Sequence, residues 1–492
     1  SGSLMADRNA IIDWFGRFLP VGFYYRAFYK PFGVWHWWER LIRVAAGLGV
    51  ANLSSTPRYH DKQYLFCDVA VVGAGPAGLS AALKAADAGA SVLLIDEQPE
   101  LGGSLTYHRF AIDSDAVRSE AEALIGDVVS HPRIKVLTHA LCNGWFTDHY
   151  LPVIQGDRLF KVRAKSCVLA TGSSEQHVVF RNNDLPGVVL CSALERLINH
   201  YAVAPQGKLV VLAGNDQAWM AALTAADEGL SVAAVVDLRD APDDKALLAE
   251  ANARGMTVHM GAAVYTARRD SGNQSLCGVD IHRIDAQGEV GELLAQTDCT
   301  VLAMSAGFMP AYQMACQAGA KLDYDDDRAA FTLSGLPEGL FLSGSVNSIH
   351  SLHAVLADGR NAARAALRCI GMTAEEDEPV ACEAQVNHPW PIFPHPEGRE
   401  FVDFDEDLQI KDIVNATRLG YRDVQLVKRY STVGMGPSQG RHSALPTARL
   451  VAQATARTVS ETGVTTARPP VKPEALGHIA GRRFHPHRRR AI

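Results

Sequence analysis

Six residues, Gly73-Ala74-Gly75-Pro76-Ala77-Gly78, restrict what this chain can fold into more than any other stretch. They follow the apolar run Asp68 to Val72 and precede a helix-like stretch from Leu79 to Ala88 and a second apolar run from Ser91 to Ile95. Strand, turn, helix and strand in that order make a βαβ unit, which needs a parallel sheet. Each glycine has its own reason. Gly73 permits the tight turn, Gly75 leaves backbone bare for a pyrophosphate, and Gly78 lets helix and strand approach closely. Asp96 and Glu97 end the second strand, about twenty residues past the turn, where a carboxylate accepts hydrogen bonds from a ribose. The pattern predicts a nucleotide whose phosphates lie over residues 73–78, at the helix N-terminus.

A second βαβ unit is written at Gly207 to Ala213, a helix, and Ser231 to Val236, and a strand ending in a turn at Lys165 to Thr171 precedes it. In the second unit Ala213-Gly214-Asn215-Asp216-Gln217-Ala218 replaces the glycine triad, and Asn215 puts a side chain where a pyrophosphate needs bare backbone. That unit is expected to be structural. The expected divisions are an aromatic interface segment (1–66), a first dinucleotide domain (67–192, continued by 326–372) and a second, degenerate one (193–325). An acidic, proline-rich linker (373–399) and a small, mostly helical module (400–492) follow.

Composition narrows the function classes. At 492 residues and 47% hydrophobic, the chain is long enough for two to four buried cores. A net charge of -7 gives no field for nucleic acid. No apolar run reaches the ~18 residues of a membrane span. Nine cysteines without a CxxC pair read as reduced, buried thiols of a cytoplasmic protein, with no thiol metal site and no disulfide-reductase nucleophile. No GxSxG or HExxH motif is present, so no catalytic residue is assigned, and the eighteen histidines, His350 and His353 included, read as ordinary polar or packed residues. Twelve aromatic residues lie between Trp14 and Trp38, and the prolines and glycines among them forbid one long helix. Short helical turns covering another domain or a partner are expected there.

Several stretches resemble known families. Glu97 to Gly103 resembles the loop after the second strand of two-dinucleotide-domain flavoproteins, which favours Glu97 over Asp96 as the ribose ligand. Ala170-Thr171-Gly172 and Ala303 to Phe308 resemble the two crossover motifs of the glutathione-reductase-type fold, an α/β architecture. At Gly339 to Ser345, flavin-binding relatives carry an Asp after the last glycine, and here the residue is Ser345. The nucleotide site is therefore expected to use Gly73, Gly75, Pro76, Ala77, Gly78, Asp96, Glu97, Gln98 and Gly103, with Thr171, Gly172, Gly344 and Ser345. NAD is the first choice of occupant, with FAD and ATP as alternatives.

Over nearly its whole length the chain resembles the alpha subunit of heterotetrameric sarcosine oxidase and related multisubunit amine and proline dehydrogenases. Leu19 to Tyr25, Asp96 to Gly103, Val427-Lys428-Arg429-Tyr430, Gly434-Met435-Gly436-Pro437 and Thr465 to Pro470 carry the match. The resemblance implies NAD in the first site, and a separate beta-type flavoprotein subunit that holds FAD and oxidises a secondary amine or N-methyl amino acid. It also implies an FMN where the two subunits meet, and possible further small subunits. The family pattern places a ferredoxin-like domain ahead of the aromatic segment and a folate-binding aminomethyltransferase-like domain after the last module. Neither lies in these 492 residues, so folate chemistry is not assigned.

The C-terminal module resembles a small iron–sulfur domain whose four cysteines are replaced here by Asp403, Asp405, Ser438 and Ser443. Hard oxygen ligands do not hold a thiophilic cluster, so none is expected. Two uses remain open for its glycine turn. One is a phosphate cradle in which amides at Gly434, Gly436 and Gly440 join Lys428, Arg429, Ser438 and Arg441, with Met435, Gln439, Thr465, Thr466 and Arg468 beside them to complete an FMN pocket. The other is a turn that caps a helix. Two further readings of the whole chain stand beside the subunit reading: a self-contained FAD and NAD(P)H reductase, and a structural subunit that retains a nucleotide.

Overall fold

The computed structural model describes residues 59–480 apart from 113–114, 273, 286 and 381–385, and before them residues 14, 28, 32–45, 47, 49–50, 52 and 54. The first sheet runs Ile134–Leu137, Val92–Ile95, Asp61–Val72, Arg158–Leu169. Its long strands Asp61–Val72 and Arg158–Leu169 pair in parallel along most of their length. Arg158–Leu169 then divides its free edge. Its first half pairs antiparallel with Tyr150–Gln155, and its last residues pair in parallel with Leu340–Leu342, which returns from far along the chain. The strand Asp61–Val72 starts seven residues before the apolar run at Asp68, because Asp61 to Cys67 continues the ladder on a half-exposed edge and so lacks a buried pattern.

Helix Pro76–Asp87 covers one face of this sheet. It begins at Pro76 rather than Leu79, since a proline suits the first helical position, where its missing N–H costs nothing. Helix Leu352–Cys369 packs across it, with no space for a side chain at Gly359, where a Cβ would meet the Ala77 carbonyl. Alanines at 81, 82, 85, 362, 363 and 366 fill the seam, so burial is achieved by close backbone approach.

The second sheet is all parallel, in the order Thr257–Met260, Ser231–Asp237, Lys208–Ala213, Val301–Ser305, Val188–Leu190. A three-stranded antiparallel sheet, Ala262–Arg269, Leu276–Ile284 and Val290–Thr297, packs on it. The two halves are joined by a pair of antiparallel crossover strands, Ser173–Gln176 and Gly307–Pro310.

Residues 373–380, read from sequence as a linker, lie against the first half. Glu378 pairs with Arg360 and Arg364, and Asp377 with Arg368. Further on, Asn387 bonds both the amide and the carbonyl of Phe308, and Ile392 forms a bridge with Val179. The C-terminal module that follows is mainly helical, with helices Ile410–Arg418, Val424–Ser431 and Ala444–Thr455 around Val402, Ile413, Val427 and Val451. Among the described residues of the aromatic segment, Trp35–Ala45 is helical, and the rings of Trp14, Phe32 and Trp37 are exposed. Trp35, Phe28 and Trp38 are described as well, and the remaining aromatics of that segment lie outside the described residues. Among the described residues, no helix is long and apolar enough to cross a membrane.

Candidate functional site

A cleft of about 1090 Å³ runs from the glycine turn to the crossover strands, between the two halves. That volume is at the upper end of what small-molecule and cofactor sites occupy. Gly73, Gly75, Pro76, Ala77, Asp96, Glu97, Gln98, Gly103, Thr171, Gly172, Gly344 and Ser345 all line it, so twelve residues chosen from the sequence meet at one place. Gly78 does not line it. A Cβ there would fall on the Gly73 carbonyl, so this glycine serves the packing of turn against helix. At Gly73, with φ +102°, a Cβ would fall on the Ala170 carbonyl. At Gly75 a Cβ would meet no protein atom within 4 Å. Of the three glycines, only this one keeps an approach to the backbone open, as a phosphate at the helix N-terminus requires.

The two acids at the strand end divide their tasks. Asp96 accepts the Ala74 amide at 2.5 Å and the Gln98 amide at 2.7 Å, which holds the glycine turn against the strand. Burial raises its carboxyl above the usual range. Glu97 is more exposed and forms an ion pair with Lys472, a residue that no sequence motif singled out. Ser345 stands beside Gly172 on the turn Gly344–Asn347, and the Gly344 amide is bound at 2.7 Å by Asp358, a buried acid on the long helix Leu352–Cys369. A carboxylate thus reaches this turn from Asp358 while position 345 is serine.

The far end of the cleft carries groups that motif reading missed. The His108 Nδ1 lies 2.5 Å from Glu195, whose fully buried carboxylate also accepts the Arg109 amide at 3.1 Å. His350 lines the same cleft, against the Phe308 ring. Burial, with His108 and Arg328 nearby, pushes its pKa down to about 4. Burial raises the Glu175 carboxyl, which receives the Ser192 amide at 2.8 Å. A carboxylate-oriented histidine is a proton-handling arrangement.

The second unit also lines the cleft, through Asn215, Asp216 and Gln217, but its phosphate and ribose positions are taken by its own side chains. Asn215 accepts the Ala218 amide at 3.1 Å as a helix cap and reaches Ser305 at 3.1 Å and the Val386 carbonyl at 3.2 Å. Asp237, at the end of the second strand of this unit, is fully buried, bound by the Trp219 indole at 2.6 Å and paired with Arg239.

In the C-terminal module one of the three glycine amides expected of a phosphate cradle, that of Gly434, is already taken. The Gly434 amide goes to Asp403 at 2.7 Å and the Ser438 amide to Asp405 at 2.9 Å, and a Cβ at Gly436 would fall on Asp405. The Asp403 and Asp405 carboxylates thus take two of the donors at this turn. Lys428, Arg429, Gly434, Met435, Gly436, Ser438, Gln439, Thr465, Thr466 and Arg468 all lie outside the cleft lining, whereas Arg441 and His442, next along the same turn, line it. Two separated motifs nevertheless meet. Lys428 is lowered in pKa by burial and by neighbouring Arg468, and Gln425 on the same helix reaches the Thr466 hydroxyl at 3.4 Å. Arg429 is exposed. The cysteines are unpaired among the described residues. Burial pushes Cys67, Cys142 and Cys299 up to about 12, while Cys369 is exposed, contrary to the reading of all as buried.

Two crossed βαβ units, paired crossover strands and a glycine-lined cleft define a dinucleotide-type oxidoreductase fold, and residues 67–372 match the model of the pyridine nucleotide-disulphide oxidoreductases: the chain belongs to that family. Residues 397–482 match the sarcosine oxidase A3 domain. The chain is homologous to sarcosine oxidase subunit alpha of Rhizobium meliloti (strain 1021), 33% identical over 97% of this chain and 49% of that protein. It is 30% identical to sarcosine oxidase subunit alpha of Corynebacterium sp. (strain P-1), over 89% of this chain and 47% of that protein. It thus spans about half the length of these relatives. The crystal structure of L-proline dehydrogenase from P. horikoshii shares the fold, with a TM-score of 0.64 at 24% identity, over 87% of this chain and 82% of that one.

Proposed function

We propose that this chain is the nucleotide-holding subunit of a flavin-dependent complex that oxidises a secondary amine or N-methyl amino acid. One observation carries the reading. Both βαβ units reach one large cleft, but the first brings bare backbone at Gly75 and the Glu97 carboxylate to it, while the second brings the Asn215 side chain and has its strand-end acid, Asp237, bound by Trp219 and Arg239. NAD is the occupant that fits best, its phosphates over Gly75 and Pro76 and its ribose at Glu97, with FAD and ATP behind it. A bound nicotinamide would supply a hydride acceptor. The chain's own residues bind and orient, and His108, held by Glu195, is placed to hold or move a proton at its other ring nitrogen.

Amine oxidation itself belongs to a beta-type partner holding FAD, in keeping with the likeness to sarcosine oxidase alpha subunits. At the junction with that partner, Lys428, Arg468 and Thr466 supply the cationic side of a site for an FMN phosphate, without the glycine-turn amides. Denaturing the intact complex and identifying the released small molecules by mass spectrometry tests both parts. NAD in proportion to this chain, and FMN lost when the subunits are separated, are the expected results. A chain that is folded but empty of any nucleotide would end the proposal.

A further inference from the structure

The C-terminal segment returns to the first sheet and is tied down in two places. Asn143, nearly fully buried, accepts the Lys472 amide at 2.9 Å and donates to the Lys472 carbonyl at 3.2 Å, and its own carbonyl accepts the Val471 amide at 3.3 Å. Further along, the buried His478 has Nε2 3.1 Å from the Gly156 carbonyl and Nδ1 2.7 Å from Glu474. With its backbone clamped at Asn143, Lys472 turns its ammonium onto the Glu97 carboxylate, and both residues line the nucleotide cleft.

The consequence follows from charge. In this type of site an acid at the strand end accepts the ribose hydroxyls and repels a 2′-phosphate, whereas a cation there receives the phosphate. Here both charges stand at one point, brought together from opposite ends of the chain. An ammonium has three donors, and its pairing with Glu97 leaves others for a phosphate oxygen. Asp96 cannot take over the role of Glu97, because both its oxygens are bound by the Ala74 and Gln98 amides.

We propose that Lys472 sets which dinucleotide the cleft accepts: by neutralising Glu97 it admits a ribose carrying a 2′-phosphate alongside one with free hydroxyls. This rests on the reading that the cleft holds a nicotinamide dinucleotide. Calorimetric titration of the full chain with NAD and with NADP tests it, in the unaltered protein, Lys472→Met and Glu97→Gln. The unaltered chain should bind the two within about tenfold of one another. Lys472→Met should weaken NADP about tenfold more than it changes NAD, because an unpaired Glu97 then faces the phosphate. Glu97→Gln should move the ratio the other way. Exclusion of NADP by the unaltered chain, or a Lys472→Met variant that weakens both ligands equally, would show the segment to be a plain lid and overturn the inference. Failure of the unaltered chain to bind either ligand is a different result. It removes the dinucleotide reading, and this inference with it.

Discussion

Asp403 and Ser443, forty residues apart, are joined by a hydrogen bond of 2.9 Å, the hydroxyl donating to the carboxylate oxygen that also accepts the Gly434 amide. Asp405 and Ser438 are joined as well, Asp405 accepting the Ser438 amide at 2.9 Å. Two carboxylates hold the loops of this module by accepting backbone and hydroxyl donors. Burial opposes ionisation of Asp403, but His442, the Gly434 amide and the Ser443 hydroxyl outweigh it and hold the carboxyl down to about 2. Asp403→Ala would leave those donors buried without an acceptor, at about 1–3 kcal/mol each, and should lower the denaturation midpoint clearly. The sign with pH follows. A carboxyl at about 2 in the folded chain against ~3.9 unfolded stabilises fully above ~4 and loses its effect as pH falls through about 2. The stability gap between the unaltered chain and Asp403→Asn should therefore shrink from pH 5 to pH 2. A gap that stays constant would show that the charge is not what holds the turn.

The three glycines of the first turn should behave differently when given a methyl group. Gly75→Ala meets no protein atom and needs no left-handed backbone, so its melting should stay within about 0.5 kcal/mol of the parent. Its methyl group projects where a phosphate would approach, so nucleotide affinity should fall sharply. Gly73→Ala and Gly78→Ala place the methyl on a backbone carbonyl and should lose the fold itself. Thermal melting beside nucleotide titration separates the cases. A Gly75→Ala chain that binds as before would place the phosphates elsewhere.

These glycines were readable from sequence because the rules that choose them, a φ value or the room for one carbon, act within a few residues. Asn215 was readable for the same reason, and so were the two βαβ units, whose strands are continuous apolar runs. What the sequence did not show is held by pairs distant along the chain. Lys472 meets Glu97 across 375 positions, Glu195 meets His108 across 87, and Asp358 reaches back to Gly344 from a different element. No spacing rule links such residues, because a fold has to exist before they become neighbours. The glycine turn of the C-terminal module carries a contact of the same long-range kind. Its glycines suggested available amides, but Asp403, thirty-one residues away, accepts that of Gly434, and Asp405 accepts the neighbouring Ser438 amide.

Restoring a glycine to the second unit should not restore a site. Asn215→Gly removes a helix cap, at a few tenths of a kcal/mol, and the links to Ser305 and Val386, at about 1 kcal/mol. Asp237 would still be bound by Trp219 and Arg239, so no carboxylate becomes available for a ribose. The measured nucleotide stoichiometry should stay at that of the parent while the melting point falls. A second equivalent of nucleotide in Asn215→Gly would show that the side chain alone had closed this half.

The aromatic segment gives the last prediction. Among its described residues, helix Trp35–Ala45 places Trp37, Leu41 and Val44 in solvent, and Trp14 and Phe32 are exposed as well. Apolar side chains gathered on an uncovered surface mark an interaction site or an aggregation hazard. At ~25 cal/mol per Å², covering a few such rings contributes several kcal/mol, enough to decide an association. The exposed rings of Trp14, Phe32 and Trp37 are not covered by the α/β body of this chain, so the surface that covers them is expected to belong to the partner subunit proposed above. Deleting residues 1–58 should then leave the melting of the body unchanged, because its sheets begin at Asp61. The same deletion should abolish co-purification with the partner, and replacing Trp37 and Leu41 together by Ser should weaken it while improving the solubility of the isolated chain. If the shortened chain still assembles with its partner, the segment is no interface. If its body unfolds, the segment covers this chain after all.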